Sequence, residues 1–324
     1  MCCNSSVSVI IPAYNHENYV QDTLKSVIAQ TYQNIELIVV DDGSKDSTWQ
    51  KIQEMRGICE KRFSRVHFET KANEGICKTL NRLLDLANGE YVYPLASDDQ
   101  VKPHAIEKEL NFLKDHPDYA LCTGDSEFID AQGKIAYWDK QRNLIYEDNP
   151  SVYHTFGEYS ECNIQYFDFY SNDFGSYLML SKSNHVPNGY LIRKSIFDKF
   201  GRFTPEAPLE DWYLMLQISK YAKMKYFDEV LFSYRWHVAN TAQNIAKMEA
   251  MSQKTWKYEC KLLEKIDLKQ VLSGVTIVKK YGALYKRKRI MRFIEVCNYR
   301  KDDCKTKVVK VFGITVLRYT KKAW

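Results

Sequence analysis

At 324 residues the chain can bury a sizeable core, in one large domain or two smaller ones. Its 45% hydrophobic and 27% charged residues exclude a disordered, collagenous or disulfide-scaffold protein, and no apolar run reaches the roughly 18 residues of a spanning helix. The net charge of +5 is unevenly placed, because Lys279 to Trp324 hold 15 Lys/Arg against 3 Asp/Glu; the preceding body is net acidic, and the tail is expected to meet an anionic surface.

The first 125 residues alternate strand and helix signals. Val7 to Ala13 (VSVIIPA) is a β-branched run of the kind buried on both faces of a parallel sheet. Glu17 to Gln30 spaces Tyr19, Val20, Leu24, Val27 and Ile28 for a helix. Ile35 to Val40 predicts a second strand, ending at Asp41-Asp42-Gly43-Ser44, and Ser47 to Cys59 a second helix. A weak strand over Val66 to Glu69, a helix over Gly75 to Ala87 and a strand over Glu90 to Leu95 follow, the last closed by Ser97-Asp98-Asp99. A helix from Pro103 to Lys114 and a strand from Tyr119 to Thr123 complete the series. Such alternation predicts an open, mostly parallel α/β sheet flanked by helices. In such sheets ligands bind outside the carboxyl ends of the strands. Both acidic pairs sit at such ends.

Lys140 to Pro187 lacks periodicity and is rich in aromatics, among them Tyr153, Phe156, Tyr159, Tyr166, Phe167, Phe169, Tyr170, Phe174 and Tyr177. It reads as a long irregular insertion, either an acceptor wall or a cover for the sheet edge. Helices near Lys194 to Phe200 and over Glu210 to Tyr221 follow, then a strand from Lys225 to Tyr234. Beyond Thr241 the chain reads as helical to about Asn298, followed by an apolar-basic segment, Val308 to Tyr319. The expected organisation is a body over 1–241, divided into 1–125 and 126–241 with the insertion at 140–187, and a helical basic extension over 242–324. The nine cysteines are scattered, without metal-site spacing, and suit free thiols in a reducing cytoplasm. Met1 to Ser6 carries no secretory pattern.

Adjacent acids at a strand end repel each other unless solvated or bound to a cation. Mg²⁺ and Mn²⁺ take carboxylate oxygens, and Mn²⁺ also accepts imidazole. Ser97-Asp98-Asp99 therefore reads either as a cation site or as a turn with capping acids. Asp41-Asp42-Gly43-Ser44 has the same ambiguity. Glu210-Asp211 opens a helix, where acids often only complement the helix dipole. His237, in Tyr234-Arg235-Trp236-His237, is by itself an ordinary structural histidine.

Taken in order, these stretches resemble the family 2 glycosyltransferases with the nucleotide-binding GT-A fold. The likeness runs through Val7 to Asn15, Ser26-Val27, Gln30-Thr31-Tyr32, Glu36 to Ser44, Asn73-Glu74-Gly75, Ala87 to Tyr91, Ser97-Asp98-Asp99, Glu210-Asp211-Trp212 and Tyr234 to His237. It covers residues 7 to about 124 closely and 188 to 241 more loosely. The resemblance implies an inverting transfer of a sugar from a nucleotide sugar, a UDP-sugar first among them, to a hydroxyl of a growing or lipid-linked cell-surface glycan such as lipooligosaccharide or capsule. It implies that Pro12, Tyr14 and Asp42 form the base pocket and that Asp98 lies near the ribose and diphosphate. It makes Asp99 the ligand of Mn²⁺ or Mg²⁺, Asp211 the general base, and His237 a neighbour of the metal or diphosphate. Two departures stand out. The usual Asp-x-Asp is Ser97-Asp98-Asp99, and an arginine usual after Asn-x-Gly is replaced by Thr79-Leu80-Asn81, leaving Lys78 or Arg82 for the diphosphate.

In the tail, Phe312, Ile314, Val316 and Leu317 interleave with Lys310, Arg318, Lys321 and Lys322, a pattern suited to the anionic inner face of the cell membrane. A nucleotidyltransferase of similar fold would show a Gly-rich basic loop after its first strand, where this chain has Pro12-Ala13-Tyr14-Asn15. A non-catalytic sugar-nucleotide or glycan-binding module would not need Asp42, Asp99 and Asp211 together. No aromatic-basic stacking surface for nucleic acid is evident.

Overall fold

The computed structural model describes residues 5–164, 166–291, 294–301, 304–311 and 314–322. The chain opens with β1 (Val7–Ala13), α1 (Val20–Ile28), β2 (Ile35–Asp41), α2 (Thr48–Glu54), α3 (Arg56–Arg62), β3 (Arg65–Thr70), α4 (Ile76–Leu86) and β4 (Tyr91–Pro94). The short β5 (Gln100–Val101), α5 (Ala105–Asp115), β6 (Tyr119–Ile129), β7 (Ile135–Trp138) and β8 (Leu144–Ile145) follow. The second half carries α6 (Phe156–Asn163), α7 (Tyr177–Leu180), β9 (Tyr190–Arg193), α8 (Phe197–Phe200), α9 (Glu210–Tyr221) and β10 (Lys223–Arg235). Two helices, α10 (Ile245–Lys265) and α11 (Ser273–Tyr281), then lead to β11 (Ala283–Met291), β12 (Ile294–Lys301), β13 (Cys304–Val311) and β14 (Ile314–Lys322).

The central sheet runs β3-β2-β1-β4-β9-β6-β10-β5, with β7 and β8 continuing from β6. β1, β2, β3 and β4 are mutually parallel. β9 is antiparallel to both β4 and β6, while β10 is parallel to β6, so β10 points the same way as β4. The carboxyl ends of β1, β2, β4 and β10 therefore share one edge. Helices that return between these strands, α4 and α9, start at that same edge. This topology alone brings Asp42, Asp98, Asp99, Gly75, Asp211 and His237 towards one side of the molecule.

The sheet is buried on both faces, as its β-branched runs predict. Val7, Val9 and Ile11 face a core with Leu24, Ile52, Ile106 and Leu110. Ile10, Ile38 and Val40 face the opposite core with Leu80, Leu83, Leu214 and Ile218. Each such side chain stabilises the fold by ~1.5–3 kcal/mol on burial. The aromatic insertion contributes to the second core, where Tyr166, Phe167, Phe169, Phe174 and Tyr177 are buried. Tyr170, at 60% exposure, is the exception, so most of the insertion's rings serve as cover rather than as an open wall.

The extension departs from its expectation. It is helical only to Tyr281, and the stretch expected to remain helical to about Asn298 is already in β11 and β12. Its four strands form a separate antiparallel sheet, β11-β12-β13-β14. The cause is visible in the burial period: Cys297 and Tyr299 are buried, Arg300 is exposed, and Thr306 and Val308 are buried on either side of exposed Lys307, a repeat of two rather than 3.6. Val275, Val278, Cys297, Tyr299 and Val308 join the core of α9 and the insertion. Phe312 and Trp324 lie outside the described residues. No described helix is long and apolar enough to cross a membrane, and Cys59, Cys77, Cys122, Cys162 and Cys304 are free thiols.

Candidate active site

β2 ends at Asp41, whose carboxylate is consumed locally by the Ser44 hydroxyl and by Thr70 Oγ1 at 2.8 Å. Asp42, the next residue, points to the start of α4. Its Oδ1 accepts from the Glu74 N–H at 3.0 Å and its Oδ2 from the Gly75 N–H at 2.9 Å, and Lys71 Nζ also donates to it. Gly43 makes this approach possible: at φ +72° a Cβ there would lie 2.8 Å from Asn73 N. Burial pushes the Asp42 carboxyl up, but the Lys71 ammonium, the Glu74 N–H and the Thr79 hydroxyl outweigh it and hold the acid below its ordinary value.

The loop after β1 is stapled to the loop after β2. Asn15, at φ 53°, accepts from the Lys45 N–H at 2.8 Å, its own N–H donates to Ser44 Oγ at 2.9 Å, and the His16 N–H donates to Thr48 Oγ1 at 2.7 Å. Tyr14 is left 44% exposed beside Pro12.

The Asp98-Asp99 loop is clamped by Arg235, which is fully buried. Its Nε–H donates to the Asp98 carbonyl at 2.6 Å and its backbone N–H to Asp99 Oδ1 at 2.8 Å, while Nη1 donates to the Asp130 carbonyl at 3.1 Å. The two carboxylates then diverge. Asp98 Oδ2 lies 2.9 Å from His237 Nε2 and 3.8 Å from His16 Nε2, and ligand atoms of these three residues all fall within 4.8 Å of one another. Burial raises the Asp98 pKa, and the two imidazoles reverse this, keeping it below the ordinary value. Asp99 is pushed well above its ordinary value by burial and by the Asp98 charge.

The two histidines are not equivalent. His16 Nδ1 lies 2.8 Å from Ser97 Oγ, which can accept its proton and leave the Nε2 lone pair towards Asp98. Burial lowers the His16 pKa further than Asp98 raises it, so the ring is neutral near pH 7. His237 Nδ1 instead accepts the Ala239 N–H at 3.3 Å, which places the ring proton on Nε2 facing Asp98. A cation at Nε2 would need the other tautomer, with the proton on Nδ1 and the Ala239 N–H bond given up.

Asp99 opens onto a cavity of about 210 Å³ whose walls also include Pro12, Tyr190, Glu210 and Asp211. Asp211 sits in the first turn of α9 and is oriented by Asn184, whose Nδ2–H donates to Oδ2 at 3.0 Å, and by its neighbour's N–H, which donates to Oδ1 at 2.6 Å. Burial raises the Asp211 pKa, and burial plus the Asp211 charge push Glu210 to about 8. Asp42 does not line this cavity, but the Gly75 N–H it holds precedes Ile76, which does. Lys78 is exposed and donates to Glu74 Oε1 at 3.1 Å. Arg82 is engaged by Glu69, at 2.8 Å and 3.0 Å, and holds that acid at about 2. The sequence reading gave no role to His16, Lys71, Asn184 or Arg235. His16 directly follows the strand-end Asn15, a position that could have flagged it; Asn184 lies in aperiodic chain and carried no signal.

This sheet, with a strand-end acid loop facing a helix-start acid across a cavity, is matched by known proteins. A structure of the mannosyltransferase PcManGT from Pyrobaculum calidifontis in complex with GDP-Man and Mn²⁺ superposes with a TM-score of 0.57 at 13% identity, over 79% of this chain and 64% of that one. One of S. aureus TarS 1-349 in complex with UDP-GlcNAc gives 0.51 at 16% identity, over 77% and 66%. These likenesses show the GT-A fold. An uncharacterized glycosyltransferase of Rickettsia bellii is 29% identical over 86% of this chain, which spans only 35% of that relative's length. The putative teichuronic acid biosynthesis glycosyltransferase TuaG of Bacillus subtilis is 36% identical over 43% of this chain and 58% of its own. The family described as Glycosyl transferase family 2 matches residues 8–174, more than half of the sequence. The chain belongs to glycosyl transferase family 2.

Proposed function

We propose that the protein transfers a sugar from a nucleoside-diphosphate sugar to a hydroxyl of a growing cell-surface glycan, with inversion at the anomeric carbon. The observation that carries this reading is the shared cavity: Asp99, from the carboxyl edge of the sheet, and Asp211, from the start of α9, line it together with Pro12. The printed ligands of the two neighbours, GDP-Man and UDP-GlcNAc, and the polysaccharide context of TuaG support it.

In this reading Pro12, exposed Tyr14 and Asp42 form the pocket for the base. Asp98, His16 and His237 would hold a divalent cation, with Asp99 facing the donor from the cavity side. One carboxylate and two imidazoles suit Mn²⁺ better than Mg²⁺. When bound, such a cation supplies positive charge to the departing diphosphate. Lys78, exposed in the first turn of α4 and held by a single hydrogen bond to Glu74, is assigned to the diphosphate in preference to Arg82, which Glu69 grips through both Nε and Nη2. Asp211 takes the proton from the acceptor hydroxyl as it attacks; burial raises its basicity, and Asn184 fixes its orientation. The exposed Val316, Leu317 and Tyr319, with Arg318 and Lys321 on the same edge strand, rest on the anionic inner face of the membrane.

A panel of UDP-, dTDP- and GDP-sugars tests the reading by thermal shift and donor hydrolysis. One nucleotide sugar should stabilise the protein, and more strongly with Mn²⁺ present. Indifference to the whole panel, with and without cation, would overturn it.

A further inference from the structure

A second cavity, of about 980 Å³, lies between the β7–β8 connection and α10. It has no lining residue in common with the first cavity, but its walls adjoin that site along the chain. Ser183 and His185 line it on either side of Asn184, the residue that orients Asp211, and Trp236 lines it next to His237. A chain lying here would end close to the proposed base.

Its remaining surface is rich in amides, with Gln141, Asn143 and Gln243 around Arg142. Arg142 is unusual in three respects. Its backbone is in the left-handed region at φ 67°, a conformation that a non-glycine residue adopts only when its surroundings enforce it. Here Asp139 enforces it: its Oδ1 accepts from the N–H groups of Gln141 and Asn143 at 2.8 and 2.9 Å, and its carbonyl accepts from the Arg142 N–H at 3.0 Å. The guanidinium is held against aromatic rings, with Cζ 5.2 Å from the Tyr159 centroid and 5.6 Å from that of Trp138. Its Nε–H donates to the Tyr159 hydroxyl at 3.2 Å, and no carboxylate among the described residues pairs with it.

A half-buried cation fixed in this way, with its terminal amino groups unclaimed, is suited to a planar or tetrahedral anion gripped by two parallel N–H donors. The surrounding field has the same sign. Burial, then the charges of Arg142 and Lys182, hold the pKa of the neighbouring His185 down at about 3. Glu249 is the one acid on the cavity's described walls.

We propose that this groove is the acceptor-binding site and that Arg142 selects an acceptor carrying an acidic group, a uronate carboxylate or a phosphodiester. The proposal rests on the glycosyltransferase reading above for the word acceptor, but its central claim is one of binding. The amides meet sugar hydroxyls, and Arg142 meets the charge.

The test is calorimetric binding of three probes of equal length to the full chain: an oligogalacturonide, a glycerol-phosphate oligomer and a neutral malto-oligosaccharide. At least one acidic probe should bind about tenfold or more tightly than the neutral one, and which of the two does so identifies the anion. In Arg142→Gln that preference should vanish, and in Arg142→Lys it should be partly retained. Nucleotide-sugar binding, measured on the same samples, should stay unchanged in both variants, which should still melt cooperatively. Equal affinity for all three probes, no binding of either acidic probe, or a preference that survives Arg142→Gln would overturn the proposal. Loss of donor binding by the unmodified chain would instead count against the donor reading, since the groove is scored on glycan probes alone.

Discussion

The donor half and the C-terminal extension carry their charge in opposite ways. In the donor half the acids of the site are buried and held by named partners: Asp42 by Lys71 and two backbone N–H groups, and Asp98 by His237. In the extension, Lys305, Lys307, Arg318 and Lys321 are exposed on strands of an independent sheet. Buried charge in fixed geometry is what a reaction at defined atoms requires. Exposed charge on a plane is what a soft, diffuse anionic surface requires. One buried pair joins the regions: Lys220 Nζ of α9 lies 2.7 Å from the Glu259 carboxylate of α10, which also accepts from Gln217 at 2.7 Å and from the Tyr177 hydroxyl. The extension thus braces the helix that presents Asp211.

That contrast predicts a hierarchy of effects. Asp211→Asn should lower transfer by about 10²–10⁴-fold while leaving donor affinity intact, since only the proton acceptor is lost. Near-normal turnover by that variant would remove Asp211 from the chemistry. In the unmodified chain, transfer should fall on the acid side at a pH above the ordinary aspartate range, because burial raises the Asp211 pKa and the base must be unprotonated. Lys220→Met should cost ~3–5 kcal/mol in denaturant unfolding by stranding Glu259, whereas Lys220→Met with Glu259→Leu should recover most of it. Equal losses in the single and double variants would show that the pair does not brace α9.

His16→Ala should weaken Mn²⁺-dependent donor binding by about 10–100-fold, and nucleotide binding without cation should not change. An unaltered Mn²⁺ dependence would take His16 out of the cation set. The smallest effect belongs to the extension. Lys321→Gln should reduce partitioning onto phosphatidylserine vesicles by about fivefold, the share of one surface cation at ~1 kcal/mol. Unchanged partitioning would indicate that the basic sheet faces something other than lipid.

The same contrast explains what the sequence disclosed. β1, β2 and β4 were legible because both their faces are buried and apolar, β-branched and aromatic residues dominate their runs. α9 was legible to its bounds because Glu210-Asp211 marks its start. The strands of the extension were not, because dense Lys and Arg fill their exposed face and mask the alternation carried by Cys297, Tyr299 and Val308. At the site, the acids could be read from strand ends, whereas their partners could not. Asn184 meets Asp211 from an aperiodic segment, and Arg235 reaches Asp98 from the far end of β10. Such contacts follow from the assembled topology and leave no local pattern.

At the centre of the account is one displacement at the anomeric carbon, with Asp211 alone drawing the acceptor proton across the cavity. The configuration of the new glycosidic bond, read from the anomeric proton coupling of the product by NMR, tests this most directly. A bond of configuration opposite to that in the donor is the predicted result; a product that keeps the donor's configuration would contradict it.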